Sequence, residues 1–279
     1  MRILLLYDPS PGTIGEYFQR AFAQLGHEVE HVAMSQAGRC RDHYDFYLRI
    51  DHGDYSCDFP DALHPNGFYI VDAHLRKSWR SIHRQAPSYD LVFCAQQRAA
   101  QLLPRAFWVP MACDPELHRG QMTGKRYDLA FVGRDGGVPR KFYLQELRER
   151  YPCSYIGQAP HTEMATIYSQ AKIGFHYIEC TSPLKDMVSM RVYEVLAAGT
   201  LLLTNDLAPG ALEAVGLRNR EHLVIYRSPT ELFRLIDYYL KHDEERQQIA
   251  AAGQAIVLSK HTYRHRAQHI FNIIQQQRG

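Results

Sequence analysis

Short apolar runs alternate with amphipathic stretches along this chain, and the alternation predicts its elements. Residues 2–8, RILLLYD, form an apolar run, followed by the glycine-bearing loop PSPGTIG. In EYFQRAFAQLG, Tyr17, Phe18, Phe22 and Leu25 recur at the spacing of one helical face, and Gly26 ends the pattern. Four further runs read as strands: HEVEHVAM at 27–34, YDFYLRID at 44–51, GFYIVDAH at 67–74 and YDLVFCA at 89–95. Helical stretches, KSWRSIHRQ and QQRAAQLL, follow the last two. Strands interleaved with helices predict a parallel, doubly wound α/β sheet.

The pattern restarts at YDLAFVG, residues 127–133, again with a glycine loop and then the helix RKFYLQELRERYP. CSYIG, KIGFHYI, TLLLTN and HLVIY read as strands, separated by the helices TEMATIYSQA and MRVYEVLAA. PTELFRLIDYYLKH and the segment 243–277 are helical, the latter with an expected break between Gly253 and His261. The restart predicts two Rossmann-like domains facing across a cleft: 1–120, 121–260, and a terminal helix, 261–279, packing back across the junction. In such sheets ligands bind at the carboxyl ends of the strands.

Composition narrows the partners. The 279 residues are 46% hydrophobic, enough for two proper cores, and 32 basic against 30 acidic residues leave a net charge of only +2. No large positive excess is present to track a nucleic-acid backbone, so no nucleic-acid partner is expected. The six cysteines, Cys180 among them, form no C-x-x-C pair, which argues against a zinc site or disulfide scaffold. No segment reaches membrane-spanning length. A cytoplasmic protein with reduced thiols is expected, and attachment to a membrane surface stays open.

Candidate chemistry concentrates in KDMVSMRVYEVLAAGTLLLTND, residues 185–206. Ser189 is a suitable N-cap, so the backbone N–H groups near Met190 and Arg191 form a helix N-terminus able to receive an anion. Glu194 lies about one turn in, within reach of the hydroxyls of a sugar attached to that anion. An ordinary amphipathic helix with Glu194 on a solvated face is the alternative. After FVG, residues 131–133, come Arg134 and then Pro139, Arg140 and Lys141 at the start of a helix. Cations there oppose the helix dipole, a placement that makes sense beside a bound anion.

These residues carry a resemblance. Asp186, seven residues and Glu194, followed by AAGTLLLTND, resemble the donor-site pattern of retaining glycosyltransferases with the GT-B fold, as in glycosyltransferase family 4. Arg134 with Arg140 or Lys141 resembles the diphosphate-binding pair of that family. RVYEVLAAGTLLLTND, HTYRHRAQHI, DLVFCA and VPMACDPELH resemble the CgeB-type, spore-maturation-protein-like subgroup. The resemblance implies a glycosyltransferase that moves a sugar from a nucleoside-diphosphate sugar to an unidentified glycan, protein or small-molecule acceptor. It implies retention of configuration, no metal and no cofactor. Two departures stand out: Asp186 replaces the usual Glu, shortening its reach by one methylene, and MVS stands where GFG is usual.

By the same resemblance, His74 is a candidate for acceptor positioning or proton handling, and Gly157 for backbone contact with the nucleotide base. Gly12 and Thr13, opening the first helix, are candidates for close approach to the diphosphate or the acceptor. DHGD, residues 51–54, reads as a loop of Asx turns in preference to a metal site. A nucleotide-sugar 2-epimerase and a noncatalytic nucleotide-sugar-binding partner protein are the rival functions.

Overall fold

The computed structural model describes every residue except Pro11, Arg41, Asp42, Met122, Thr123, Cys180, Thr181, Pro183, Lys185 and Gly279, and the side chain of Arg278. Cys180 therefore lies outside the described residues. The chain divides into two units. The first comprises Met1–Met111, Thr181–Met187 and Tyr263–Gly279; the second comprises Ala112–Cys180 and Val188–Thr262. The sequence analysis placed the division at 120/121.

In the first unit β1 (Arg2–Leu6), α1 (Ile14–Gln24), β2 (Glu28–Val32), β3 (Phe46–Ile50) and β4 (Asn66–Ile70) are followed by α2 (Arg76–Gln85), β5 (Leu91–Cys94), α3 (Gln97–Leu102) and β6 (Ala106–Trp108). The six-stranded sheet has the order β2-β1-β3-β4-β5-β6, parallel throughout. The expected strands all form. β6 escaped the sequence reading because AFW is only three residues long and runs into a proline. Gly15 lets α1 lie directly on the Tyr7 ring, which a Cβ at this position would strike.

In the second unit α4 (Pro115–His118) precedes β7 (Tyr127–Val132), α5 (Arg140–Arg150), β8 (Ser154–Gly157), α6 (Met164–Ser169), β9 (Ala171–His176), α7 (Met190–Ala197) and β10 (Leu201–Asn205). Then come α8 (Ala211–Ala214), β11 (Val224–Tyr226), α9 (Pro229–Lys241) and α10 (Asp243–Lys260). The sheet order is β11-β10-β9-β7-β8, again parallel. Leu129, Phe131, Ile173, Phe175, Leu201 and Leu203 supply its buried strand positions. The last helix, α11 (Tyr263–Arg278), returns to the first unit, where the Tyr263 ring meets those of Tyr17 and Phe18 on α1.

The expected break falls at the His261 end of its span: α10 runs unbroken through Gly253 to Lys260, and α11 begins at Tyr263. This glycine is a packing device, because a Cβ there would meet the His222 carbonyl oxygen and the Leu196 side chain. Gly253→Ala should therefore destabilise the protein, although the same exchange in a free helix gains up to about 1 kcal/mol. Urea denaturation of the two proteins checks the sign.

Candidate functional site

The second sheet reverses strand order between β7 and β9, and the loops leaving their carboxyl ends carry the candidate residues. Arg134 follows β7 by way of Gly133, whose N–H donates to the Gly157 carbonyl at 2.8 Å. Arg134 is exposed and has no carboxylate partner among the described residues. Lys141, in the first turn of α5, is likewise exposed. Arg140 is turned back on its own loop: its Nε donates to the Asp135 carbonyl at 3.1 Å, and Arg148 donates to the Asp135 carboxylate at 2.9 Å. Pro139 takes the N-cap position of α5, one residue earlier than expected.

Ser189 stands at the N-cap of α7, but its hydroxyl makes no cap bond. It pairs instead with His176 Nε2 at 2.9 Å, while His176 Nδ1 pairs with Thr204 Oγ1 at 2.8 Å. The serine side chain is thereby drawn towards the end of β9 and away from the helix amides near Met190 and Arg191.

Glu194 is 3% exposed, correcting the alternative of a solvated face residue. Val192, Tyr193, Val195, Leu196 and Ala197 are buried around it, an apolar setting in which a carboxylate is costly unless paired. Arg191 supplies the pairing, with Nη1 2.7 Å from Glu194 Oε2. The other oxygen, Oε1, has no hydrogen-bond partner among the described residues and lies 3.5 Å from His118 Nε2.

His118 and His161, which the sequence reading missed, complete this corner. The Asp114 N–H donates to His118 Nδ1 at 2.9 Å, so the ring proton sits on Nε2, which faces His161 Nε2 at 3.3 Å. Burial holds the His118 pKa below its ordinary value. The two imidazoles and Glu194 bring their donor atoms within 4.8 Å of one another, as a metal site would. A protonated Nε2 has no lone pair for a metal, however, and moving that proton to Nδ1 would set it against the Asp114 N–H. The arrangement fits polar side chains packed against Glu194 better than a metal centre. No local pattern in the sequence marks it, since residues 114, 118, 161 and 194 converge only through the fold.

The remaining candidates belong to the first unit. His74 Nδ1 lies 3.4 Å from Gln96 Nε2, which also donates to Met187 Sδ at 3.0 Å. Gln96 is fully buried and its Oε1 has no hydrogen-bond partner among the described residues. Asp186 Oδ2 accepts the Arg98 N–H at 2.8 Å at the start of α3, and its Oδ1 is buried with no partner there. His74 thus meets a glutamine that periodicity gave no reason to single out, and Asp186 is held two residues further along, at Arg98.

Around Gly12 and Thr13 the helix start is engaged by its own side chains, in a variant of the capping box. Thr13 Oγ1 accepts the Glu16 N–H at 3.5 Å and Glu16 accepts the Gly12 N–H at 3.4 Å. That helix terminus already holds a carboxylate. The adjoining cavity of about 250 Å³ also carries Asp8, Asp51 and His52, an unsuitable lining for a diphosphate.

Asp51 is the hub of the loop after β3. One oxygen accepts the Gly53 N–H at 3.0 Å and the Tyr55 hydroxyl at 2.7 Å; the other accepts the N–H groups of Val71 and Asp72, both at 3.1 Å. The first contact is an Asx turn, as the sequence predicts. Burial, and then the charge of Asp51, push the Asp72 pKa up to about 6. Because the folded protein holds this proton more tightly than the unfolded chain, the associated stability is full below the ordinary Asp range and lost as pH rises through about 6. Denaturation at about pH 4 and about pH 7 should show that loss, and Asp72→Asn should remove it.

Solved structures share this architecture. An α-glucosyltransferase in complex with UDP-glucose and DNA containing an abasic site superposes with a TM-score of 0.75 at 12% identity, over 99% of each chain. HepE of Anabaena in complex with UDP-glucose gives 0.66 at 11%, over 99% of this chain and 100% of that one. The DNA-modifying β-glucosyltransferase gives 0.65 at 11%, with the same coverage. The fold is therefore the two-domain GT-B fold of glycosyltransferases. The family profile described as glycosyl transferase-like matches residues 116–272, more than half of the chain, so the chain belongs to that family and is a glycosyltransferase. No curated protein sequence matches it significantly.

Proposed function

We propose that the protein transfers a sugar from a nucleoside-diphosphate sugar, with the donor held at the β7/β9 switch point of the second unit. The observation that carries this is Glu194: a buried carboxylate one turn into α7, fixed by Arg191 on one oxygen and, among the described residues, with no hydrogen bond on the other. A ribose hydroxyl is a donor of the kind that oxygen accepts. The amides at the start of α7 and the exposed cation of Arg134 then serve the diphosphate. As the bond from the anomeric carbon to the diphosphate breaks, negative charge grows on the leaving group, where these groups are preorganised to stabilise it. Lys141 supplements them, whereas Arg140 holds the loop. Gly157, at the end of β8, is the backbone candidate for the base.

UDP-glucose in HepE and in the α-glucosyltransferase supports a uridine donor. The acceptor class stays open; the DNA in one of those structures belongs to that protein. His74, Gln96 and Asp186 form the acceptor-side group, and the CgeB-type subgroup is the proposed placement within the family. Retention without a metal is the first mechanistic reading. Asp72 favours a second, because a carboxyl with a pKa near 6 suits a general base for direct displacement with inversion.

Thermal-shift titration with UDP, GDP, ADP, dTDP and CDP tests the donor site. A nucleotide at about 100 times its dissociation constant adds roughly 2.7 kcal/mol to stability. Stabilisation by one nucleotide, lost in Arg134→Ala, supports the reading; no shift with any of the five sinks it. NMR of the product anomer then separates retention from inversion.

A further inference from the structure

We propose that the outer face of α2, continued by the end of α3, docks the protein onto an anionic lipid surface. The overall charge of +2 hides a strong segregation: from residue 73 to residue 113 the only acid is Asp90, against Arg76, Lys77, Arg80, Arg84, Arg98 and Arg105. The buried sides of the two helices enter one core, with Ile82 from α2, Ala99 from α3 and Leu103 directly after α3. They therefore cover the same face of the sheet, as right-handed crossovers between consecutive parallel strands require. Arg105 ties their ends together, its Nη2 donating to the Pro87 carbonyl at 2.7 Å.

On the outer side of α2, Arg76, Lys77, Arg80, His83 and Arg84 are all exposed. Arg76, Arg80 and Arg84 follow one another at i, i+4 spacing, so each neighbouring pair repels and weakens the helix slightly. Arg76 and Lys77 also stand in the first turn, which has no acidic residue, against the helix dipole. Among the described residues Arg76, Lys77 and Arg80 have no ion-pair partner, and the sole pair on this face is Arg84 with Asp58, at 3.7 Å with both side chains exposed. A stripe so arranged loses stability in isolation and recovers it against an external array of negative charge.

Two apolar side chains decide the kind of array. Leu75, at the N-cap of α2, and Leu102, at the end of α3, are 46% and 60% exposed, among the most exposed large hydrophobic residues of the chain. Trp79 is only partly covered by the core. Phosphates of a nucleic acid would use the cations and leave the leucines in water. A lipid surface uses both, with headgroups for the cations and the acyl boundary for the apolar side chains. This surface belongs to the first unit, whereas the proposed donor residues belong to the second, and it does not depend on the donor assignment.

The test is co-sedimentation with vesicles of phosphatidylglycerol mixed with phosphatidylcholine, and of phosphatidylcholine alone, at low and high salt. Wild-type protein should bind the mixed vesicles, bind phosphatidylcholine weakly and detach as salt rises. The variant Lys77→Glu/Arg80→Glu/Arg84→Glu should lose at least roughly a hundredfold in partition, about fivefold for each cation removed. Leu102→Ser should weaken binding at every salt concentration. A far-ultraviolet circular dichroism spectrum and a thermal midpoint matching wild type show that the triple variant is folded. Equal binding to both vesicle types, unchanged binding by the triple variant, or capture by duplex DNA without vesicle binding would each overturn the proposal.

Discussion

Glu194→Gln is expected to raise the dissociation constant for the preferred nucleotide by roughly ten- to a hundredfold, since a hydrogen bond to a charged group contributes about 1.5–3 kcal/mol. The amide keeps the shape of the side chain and one acceptor oxygen, so the loss reports the charge that Arg191 holds in place. Glu194 is buried, and Arg191 also lies over the Tyr168 ring, 5.9 Å from its centroid. Removing the carboxylate charge therefore leaves a half-covered cation beside an apolar wall. Some stability should fall as well, and the two effects separate by titrating nucleotide at a temperature where both proteins remain folded. Calorimetric binding within threefold of wild type would remove Glu194 from the donor site.

Arg49→Ala should be the most destabilising single change in the first unit, by about 3–5 kcal/mol. Arg49 is 1% exposed on β3, and no carboxylate among the described residues lies within ion-pair distance. Its charge is met by Gln85 Oε1 at 3.1 Å, the Tyr89 hydroxyl at 3.0 Å, the Asp54 carbonyl at 3.0 Å and the Phe68 ring 4.9 Å away. Truncation leaves a cavity and strands the glutamine and tyrosine acceptors together. It also frees the 51–58 loop, to which Gln85 is joined through Tyr55 and Asp58. Arg49→Met, which keeps the volume, should cost less. A urea midpoint for Arg49→Ala matching wild type would show that the guanidinium is dispensable.

The fold was largely legible in the sequence because each central strand is a short, fully buried apolar run, and such runs need no partner to be recognised. β6 and the short helices α4 and α8 were not, since three or four residues carry no period. The break in the last segment could be placed only within 253–261, because a glycine that admits a neighbour resembles, in sequence, one that ends a helix. Of the proposed site, Glu194 and Arg134 are candidates because of their positions relative to a helix start and a strand end. Gln96, His118 and His161 could not be found in that way, because their significance lies in contacts between segments far apart in sequence. Ser189 shows the converse: its capping preference was clear, yet His176 offers its hydroxyl a better partner.

The chain passes between the two units at 111/112, 180/181, 187/188 and 262/263. For a protein made from its amino end, this sets an order of completion. The first unit begins to emerge first, yet its α1 face lacks α11 until every residue of the second unit has been synthesised. A chain truncated after Thr262 and released should hold every residue of the second unit and a first unit whose Tyr17 and Phe18 lack Tyr263, and limited proteolysis should cut the first unit. The order of synthesis thus completes the second unit before the first.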